Sequence, residues 1–255
     1  VSGVDYVLHH AAIGSVPRSI KDPFYSNEVN ISGFLNMLIA SRDAKVKRFI
    51  YASSSSTYGD LEKLPKVEEN IGNQLSPYAI TKYVNELYAT IFSDIYKMQT
   101  IGLRYFNVFG RRQDRESTYA AVIPIFVDKL INHQSPVIFG DGNYTRDFTY
   151  IDNVIQINEL AIMTENLNSV NNIYNAAVGG RISLNQLIQY LKEYLSNYDR
   201  EILNIKVKYG PPRLGDIPHS QANINKAKKL LGYSPEYSVQ EGIKKTVEWY
   251  WNNLN

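Results

Sequence analysis

The sequence predicts an α/β protein, a Rossmann-like doubly wound parallel sheet with a smaller C-terminal α/β lobe. Three observations predict it. Short apolar runs at residues 4–8, 48–52 and 100–106 alternate with stretches of helical periodicity, the pattern of parallel strands joined by crossover helices. The runs are nearly continuous in apolar character, as strands buried on both faces are. Past residue 110 the segments become shorter and more polar, which suggests a smaller lobe covering a ligand.

The first run ends in His9-His10-Ala11-Ala12. Adjacent histidines invite a metal reading, but neighbours on a strand point to opposite faces and the chain has four His in all, so no metal site is expected. Small Ala11 and Ala12 at a strand end would let a ligand approach closely. Residues 30–40 carry Ile31, Phe34, Leu35, Leu38 and Ile39 at helical spacing, a helix with a broad buried face. Ser76 and Pro77 read as the N-cap and first turn of a helix over about 77–97. The loop at Arg111-Arg112 reads as a solvated turn, and residues 121–124 open a further helix. Residues 137–142 read as a strand into a turn, 146–150 as a strand, and Asp152 as the cap of a helix to about Thr164. Residues 172–176 read as a strand, Ser183 as a helix cap, and 205–209 as a half-buried strand. Residues 211–219 form a long irregular loop. Two helices end the chain, one closed by Gly232 and one opened by the capping box Ser238 and Glu241.

Composition bounds the function. With 255 residues, 44% hydrophobic and 20% charged, the chain is an ordinary globular one with ample core. A formal net charge of +2 with dispersed basic residues gives no electrostatic footprint for nucleic acid or membrane. No cysteine is present, which excludes disulfides and thiolate chemistry and fits a cytoplasmic location. No apolar run approaches the length of a membrane span.

The chemistry is concentrated between residues 53 and 82. A run of four serines follows the strand at 48–52, and Ser76-Pro-Tyr-Ala-Ile-Thr-Lys82 follows a polar loop. A helix starting at Ser76 places Tyr78 and Lys82 on one face. An ammonium beside a phenol favours the phenolate, so Tyr78 is expected to have a lowered pKa and to take a proton from a substrate hydroxyl. Chance alone supplies about one Tyr-x-x-x-Lys pair in a chain this rich in both residues, so the cap, the strand and the serine run carry the reading. The serines alone would equally suit a polar turn.

The serine run, Pro77-Tyr-Ala-Ile-Thr-Lys82, Arg104-Tyr-Phe-Asn-Val-Phe-Gly110 and Arg146-Asp-Phe-Thr-Tyr-Ile151 together resemble the extended short-chain dehydrogenase/reductase superfamily. Within it the chain looks like the nucleotide-sugar 4-epimerases, closest to UDP-N-acetylglucosamine 4-epimerases of bacterial polysaccharide pathways. The resemblance implies NAD as cofactor, a UDP-sugar as substrate, and a homodimer built on the helices near 30–43 and 77–97. It implies Tyr78 as the catalytic base, Lys82 as a lysine that also bonds the nicotinamide ribose, and Ser54, with Ser55 as the alternative, as the hydroxyl on the sugar's 4-OH. Ala11, Ala12 and Tyr51 would lie along the cofactor. Gly14, Ser15, Asn107, Ala121, Val122, Arg146, Arg213 and Asp216 would contact the UDP-sugar, the arginines through charge-assisted bonds to the diphosphate. Arg146 would otherwise pair with the adjacent Asp147. Residues 1–110 would form a partial NAD-binding domain with the catalytic residues. Residues 111–255 would mainly form the sugar lobe, with about 150–180 returning to the first domain.

Two departures qualify the resemblance. The family's Gly-rich loop and the strands that carry it are not found ahead of residues 4–8, so poor NAD binding and an open edge strand are expected. The position that limits the sugar's C2 substituent falls on Ser220, a small residue that leaves room for an N-acetyl group. Dehydratases on this scaffold place an acid just after the catalytic hydroxyl. Here the first carboxylate is Asp60, which favours epimerisation over elimination. The competing reading from another class is a non-catalytic fragment lacking the cofactor loop.

Overall fold

The computed structural model describes residues 1–114, 121–212 and 217–254. Four strands form one parallel sheet in the order β1 (Tyr6–His9), β2 (Arg48–Ser54), β3 (Thr100–Tyr105) and β4 (Asn172–Ala176). The register sets Leu8 beside Ile50, Ile50 beside Ile101, and Leu103 beside Tyr174. Ile50, Ile101, Leu103 and Tyr174 are wholly buried, as the continuous apolar runs require. β1 departs from that expectation. Among the described residues it pairs with β2 alone, and while Val7 packs into the core, Tyr6 and Leu8 on the opposite face are 38% and 40% exposed.

Helix α1 (Gly33–Asp43) connects β1 to β2, and α2 (Pro77–Tyr96) connects β2 to β3. The first helix enters through a short helical turn at Pro23–Asn27 and a wider π turn at Glu28–Ser32, so its regular part starts later than residue 30. α2 starts where the sequence placed it. The Ser76 side chain accepts the Ala79 N–H at 3.1 Å and Pro77 occupies the first turn. Phe34 and Leu38 of α1, Ala89 and Phe92 of α2, and Phe49 and Tyr51 of β2 share one apolar core.

The chain divides into two units. One comprises residues 1–106, 155–176 and 223–234 and holds the four-stranded sheet; the other comprises 107–154, 177–222 and 235–255. The second unit is mixed. Its core joins Phe126 and Leu130 of the helix Val122–Ile131, Leu187 and Leu191 of Leu184–Leu195, and Ile243 and Val247 of Val239–Leu254. Two-residue and three-residue strands pair along its edges, Val137–Phe139 with Lys208–Gly210 in parallel among them. The caps read from sequence are present: Ser183 and Gln186 bond reciprocally, Glu241 accepts the Ser238 N–H, and Gly232 closes its helix at φ 71°.

Three expectations are corrected here. Residues 146–150 are not one strand. Thr145–Arg146 pairs antiparallel with Ile182–Ser183 and Thr149–Tyr150 pairs parallel with Val108–Phe109. Between them the Asp147 carboxylate turns inward and accepts the backbone N–H groups of Val178, Gly179 and Ala222 at 3.0–3.2 Å. The strand expected at 205–209 is shifted to Lys208–Gly210, because Ile205 still closes the turn Arg200–Asn204. Asp152 does not cap its helix, which begins at Ile151; it sits in the first turn and pairs with Arg111 at 2.8 Å. Arg111 keeps to the solvated turn read from sequence, exposed and carrying this surface ion pair. Among the described residues no helix is long and apolar enough to cross a membrane.

Candidate active site

The serine run is sorted by the pleat of β2. Ser53 points inward, 3% exposed, and its hydroxyl donates to Glu86 Oε1 at 2.5 Å. Ser54 points to the other face and is half-buried. Its hydroxyl accepts the Ser56 N–H at 3.1 Å and so caps the short turn Ser55–Tyr58. The Ser54 side chain also favours the Tyr78 phenolate, lowering its pKa. Ser55 and Ser56 belong to the turn. Ser54 rather than Ser55 is thus the serine brought to the tyrosine.

Tyr78 and Lys82 stand one turn apart on α2. The Lys82 Nζ lies 6.0 Å from the Tyr78 ring centre and donates to Ala52 O at 2.9 Å. Burial pushes the Lys82 ammonium down to about 8. Tyr78 moves opposite to the expectation. Burial raises its pKa above the ordinary phenol value, and the Ser54 side chain only partly offsets this. Desolvation rather than the cation decides the direction.

The segment after β1 is held against α2 by side chains that the sequence reading did not single out. Asn30, 1% exposed, accepts the Ile13 N–H at 2.7 Å and donates to Ile13 O and to Thr81 Oγ1 at 3.2 and 3.1 Å. Ser19 Oγ accepts the Tyr78 N–H at 3.0 Å. Ala11 is exposed and Ala12 half-buried on this segment. Tyr51 does not join them. It is 1% exposed, packed on Phe34 at 5.4 Å, and lies so close to Gly102 that a Cβ there would come within 2.6 Å of its hydroxyl. Beside the site, His10 Nε2 bonds the Tyr105 hydroxyl at 2.9 Å. Both His9 and His10 are lowered by burial, with the Lys82 charge adding to the effect.

The remaining predicted residues fall in two places. In the first unit, Ser15 caps the short helix Val16–Lys21 and Gly14 has open space where a Cβ would stand. In the second, Asn107 has φ 33° and donates to Asp147 O at 3.1 Å. Arg146 Nη1 donates to Thr145 O and Pro218 O at 3.0 and 3.1 Å, and the Ser220 N–H donates to Thr145 O at 3.0 Å. Asn107, Arg146 and Ser220 are thus gathered around one turn, while Ala121 and Val122 open the helix Val122–Ile131. Arg213 and Asp216 lie outside the described residues. Asp60, the nearest carboxylate after the serines, is taken by the Asn73 N–H and Nδ2 at 2.7 and 3.0 Å.

Reasoning from sequence also missed Glu86 and Arg104. The signal was present for Glu86, which stands eight residues after Tyr78 and four after Lys82 on the same helix face. For Asn30 and Ser19 no local signal distinguishes them from other polar helix residues.

Residues 1–177 match the model of the NAD dependent epimerase/dehydratase family. The crystal structure of the UDP-glucose 4-epimerase of Thermotoga maritima with UDP-glucose is 38% identical, with a TM-score of 0.90 over 98% of this chain and 78% of that one. The UDP-N-acetylglucosamine 4-epimerase of Methanobrevibacter ruminantium M1, in complex with UDP-N-acetylmuramic acid, is 37% identical with a TM-score of 0.91 over the same shares. The UDP-glucuronate 4-epimerase of Thermodesulfobacterium geofontis is 33% identical over 98% of this chain and 74% of its own length. Matched over most of its length in sequence and fold, the chain belongs to the NAD dependent epimerase/dehydratase family.

Proposed function

We propose that this chain, an NAD-dependent UDP-sugar 4-epimerase and hence an isomerase, acts on UDP-N-acetylglucosamine and UDP-N-acetylgalactosamine, with Tyr78 as proton carrier. The observation that supports it most is Lys82 one helix turn from Tyr78, its ammonium 6.0 Å from the phenol ring and bonded to Ala52 O just before the serine run at the C-terminal end of a parallel strand. The donor set fits the nicotinamide ribose. Lys82 Nζ carries three N–H donors and uses one on Ala52 O, leaving two for ribose hydroxyls. Ala11 and Ala12 are small side chains, exposed and half-buried.

Held by Lys82, NAD would supply the hydride chemistry at C4. Tyr78 takes the proton of the 4-hydroxyl as that carbon is oxidised and gives it back when the carbon is reduced. In this reading Ser54, whose side chain favours the Tyr78 phenolate, holds the reacting oxygen within reach of the phenol. Ser220 presents a small side chain, and a small wall admits a C2 N-acetyl group where a large one excludes it. The reading assigns the diphosphate to Arg146 and Asn107, a guanidinium and an amide donor. The reading includes a homodimer. Ile80, Leu87, Ile91 and Ile95 form one aliphatic stripe along α2, each about half exposed, which a second copy of the chain would cover.

The test is epimerisation of UDP-N-acetylglucosamine and of UDP-glucose with added NAD. Tyr78→Phe is expected to lower kcat on both by about 10²–10⁴-fold. Ser220→Tyr is expected to lose the acetylated sugar selectively. Full activity in Tyr78→Phe would overturn the catalytic assignment, and equal loss on both sugars in Ser220→Tyr would overturn the substrate assignment.

A further inference from the structure

Beneath the Ser54–Tyr78–Lys82 set lies a buried ion pair that the mechanism above does not use. Arg104 Nε and Nη2 each sit 2.8 Å from one oxygen of Glu86, a bidentate pair with the two side chains 3% and 2% exposed. Ser53 donates to the same carboxylate, and Ser53 and Arg104 are partners in the β2–β3 register, one residue before Ser54 and Tyr105. The guanidinium also donates to Glu68 O at 2.9 Å and lies 4.8 Å over the Tyr58 ring, whose hydroxyl donates to Asn175 of β4 at 2.7 Å. One helix carboxylate therefore grips two neighbouring strands directly under the site.

A buried ion pair is a poor source of stability, since apolar residues of equal volume often serve as well; its best-attested use is to fix register. Register matters here, because slipping β2 by one residue would turn Ser54 inward and Ser53 toward Tyr78. Charge matters too. Glu86 stands one turn from Lys82, and without Arg104 its carboxylate would compete for the ammonium. Lys82 is faced by His9 and His10 from the segment at β1 and by Tyr78 on its own helix. Glu86 is faced by Arg104, Ser53 and the Tyr51 ring.

We propose that Glu86 and Arg104, acting through Ser53, are positioning residues that set Ser54 against Tyr78 and leave Lys82 to the site. The inference rests on the reading of Ser54, Tyr78 and Lys82 given above.

Ser53→Ala, Ser53→Thr and Glu86→Gln are assayed with added NAD beside wild type and Tyr78→Phe, with thermal melts throughout. Ser53→Ala is expected to melt near wild type, to lose about 10-fold in kcat with KM unchanged, and to be rescued by Ser53→Thr, which restores the hydroxyl. Glu86→Gln leaves Arg104 uncompensated and is expected to move the acidic limb of the kcat profile down by about one pH unit. The phenolate absorbance of Tyr78, read as wild type minus Tyr78→Phe, should shift the same way without turnover. A Ser53→Ala enzyme within about two-fold of wild-type kcat, or a folded Glu86→Gln with an unmoved profile, overturns the proposal. If Glu86→Gln does not fold, the Ser53 pair decides alone. Retained activity in Tyr78→Phe would instead strike the underlying reading of the site.

Discussion

Glu86 in the sheet unit and Asp147 in the second unit are both buried carboxylates, 2% and 0% exposed, yet they are satisfied in different currencies. Glu86 meets a full opposite charge, the Arg104 guanidinium, and a hydroxyl. Among the described residues Asp147 meets backbone dipoles, the N–H groups of Val178, Gly179 and Ala222. The dipoles do not overcome desolvation: burial pushes Asp147 up to about 7 despite all three bonds. The difference fits their surroundings. A side-chain pair can tie a helix to two strands and still be altered one residue at a time, whereas a carboxylate gathering backbone donors ties three loop positions together by main chain.

The largest effect is expected where charge meets charge. Arg104→Met removes the partner and leaves Glu86 buried and uncompensated, which should destabilise the fold by about 3–5 kcal/mol in a denaturant titration. Removing both charges together, as Arg104→Met with Glu86→Gln, should recover most of that loss. If the double variant is as unstable as the single one, the cost lies in packing and the contrast with Asp147 does not hold. Asp147→Asn should cost less, about 1–3 kcal/mol, because the amide keeps one acceptor oxygen but turns an N–H₂ donor toward backbone donors.

What the sequence revealed and what it hid separate along the same line. Ser76 before Pro77, Ser183 with Gln186, Ser238 with Glu241 and the αL glycine at Gly232 are contacts within a few residues, and each was legible. So was the Tyr78–Lys82 spacing, which one helix turn fixes. The partners of Asp147 lie 31, 32 and 75 residues away, and Tyr58 meets Asn175 across 117 residues. No local pattern encodes such meetings. The reversed direction at Tyr78 has the same origin, since the Lys82 charge is visible in the spacing while the burial that outweighs it comes from the fold. The break at Asp147 likewise depends on donors that the chain brings from elsewhere, so an apolar-polar run read as one strand became two.

The smallest effect per step is the pH dependence that Asp147 imposes. Its folded pKa of about 7 stands above the ordinary carboxylate value, so between about pH 4 and pH 7 the unfolded chain has released a proton that the folded chain still holds. The folded state binds more protons in that window, and stability must fall as pH rises through it, by at most about 1.4 kcal/mol per pH unit from this one group. The contribution is complete below pH 4 and lost above 7. Melting temperatures of wild type across this window should therefore decline with pH relative to Asp147→Asn, in which the titrating group is gone. Parallel profiles for the two proteins would mean that the three backbone donors keep Asp147 ionised throughout, and that dipoles alone suffice to hold a buried charge here.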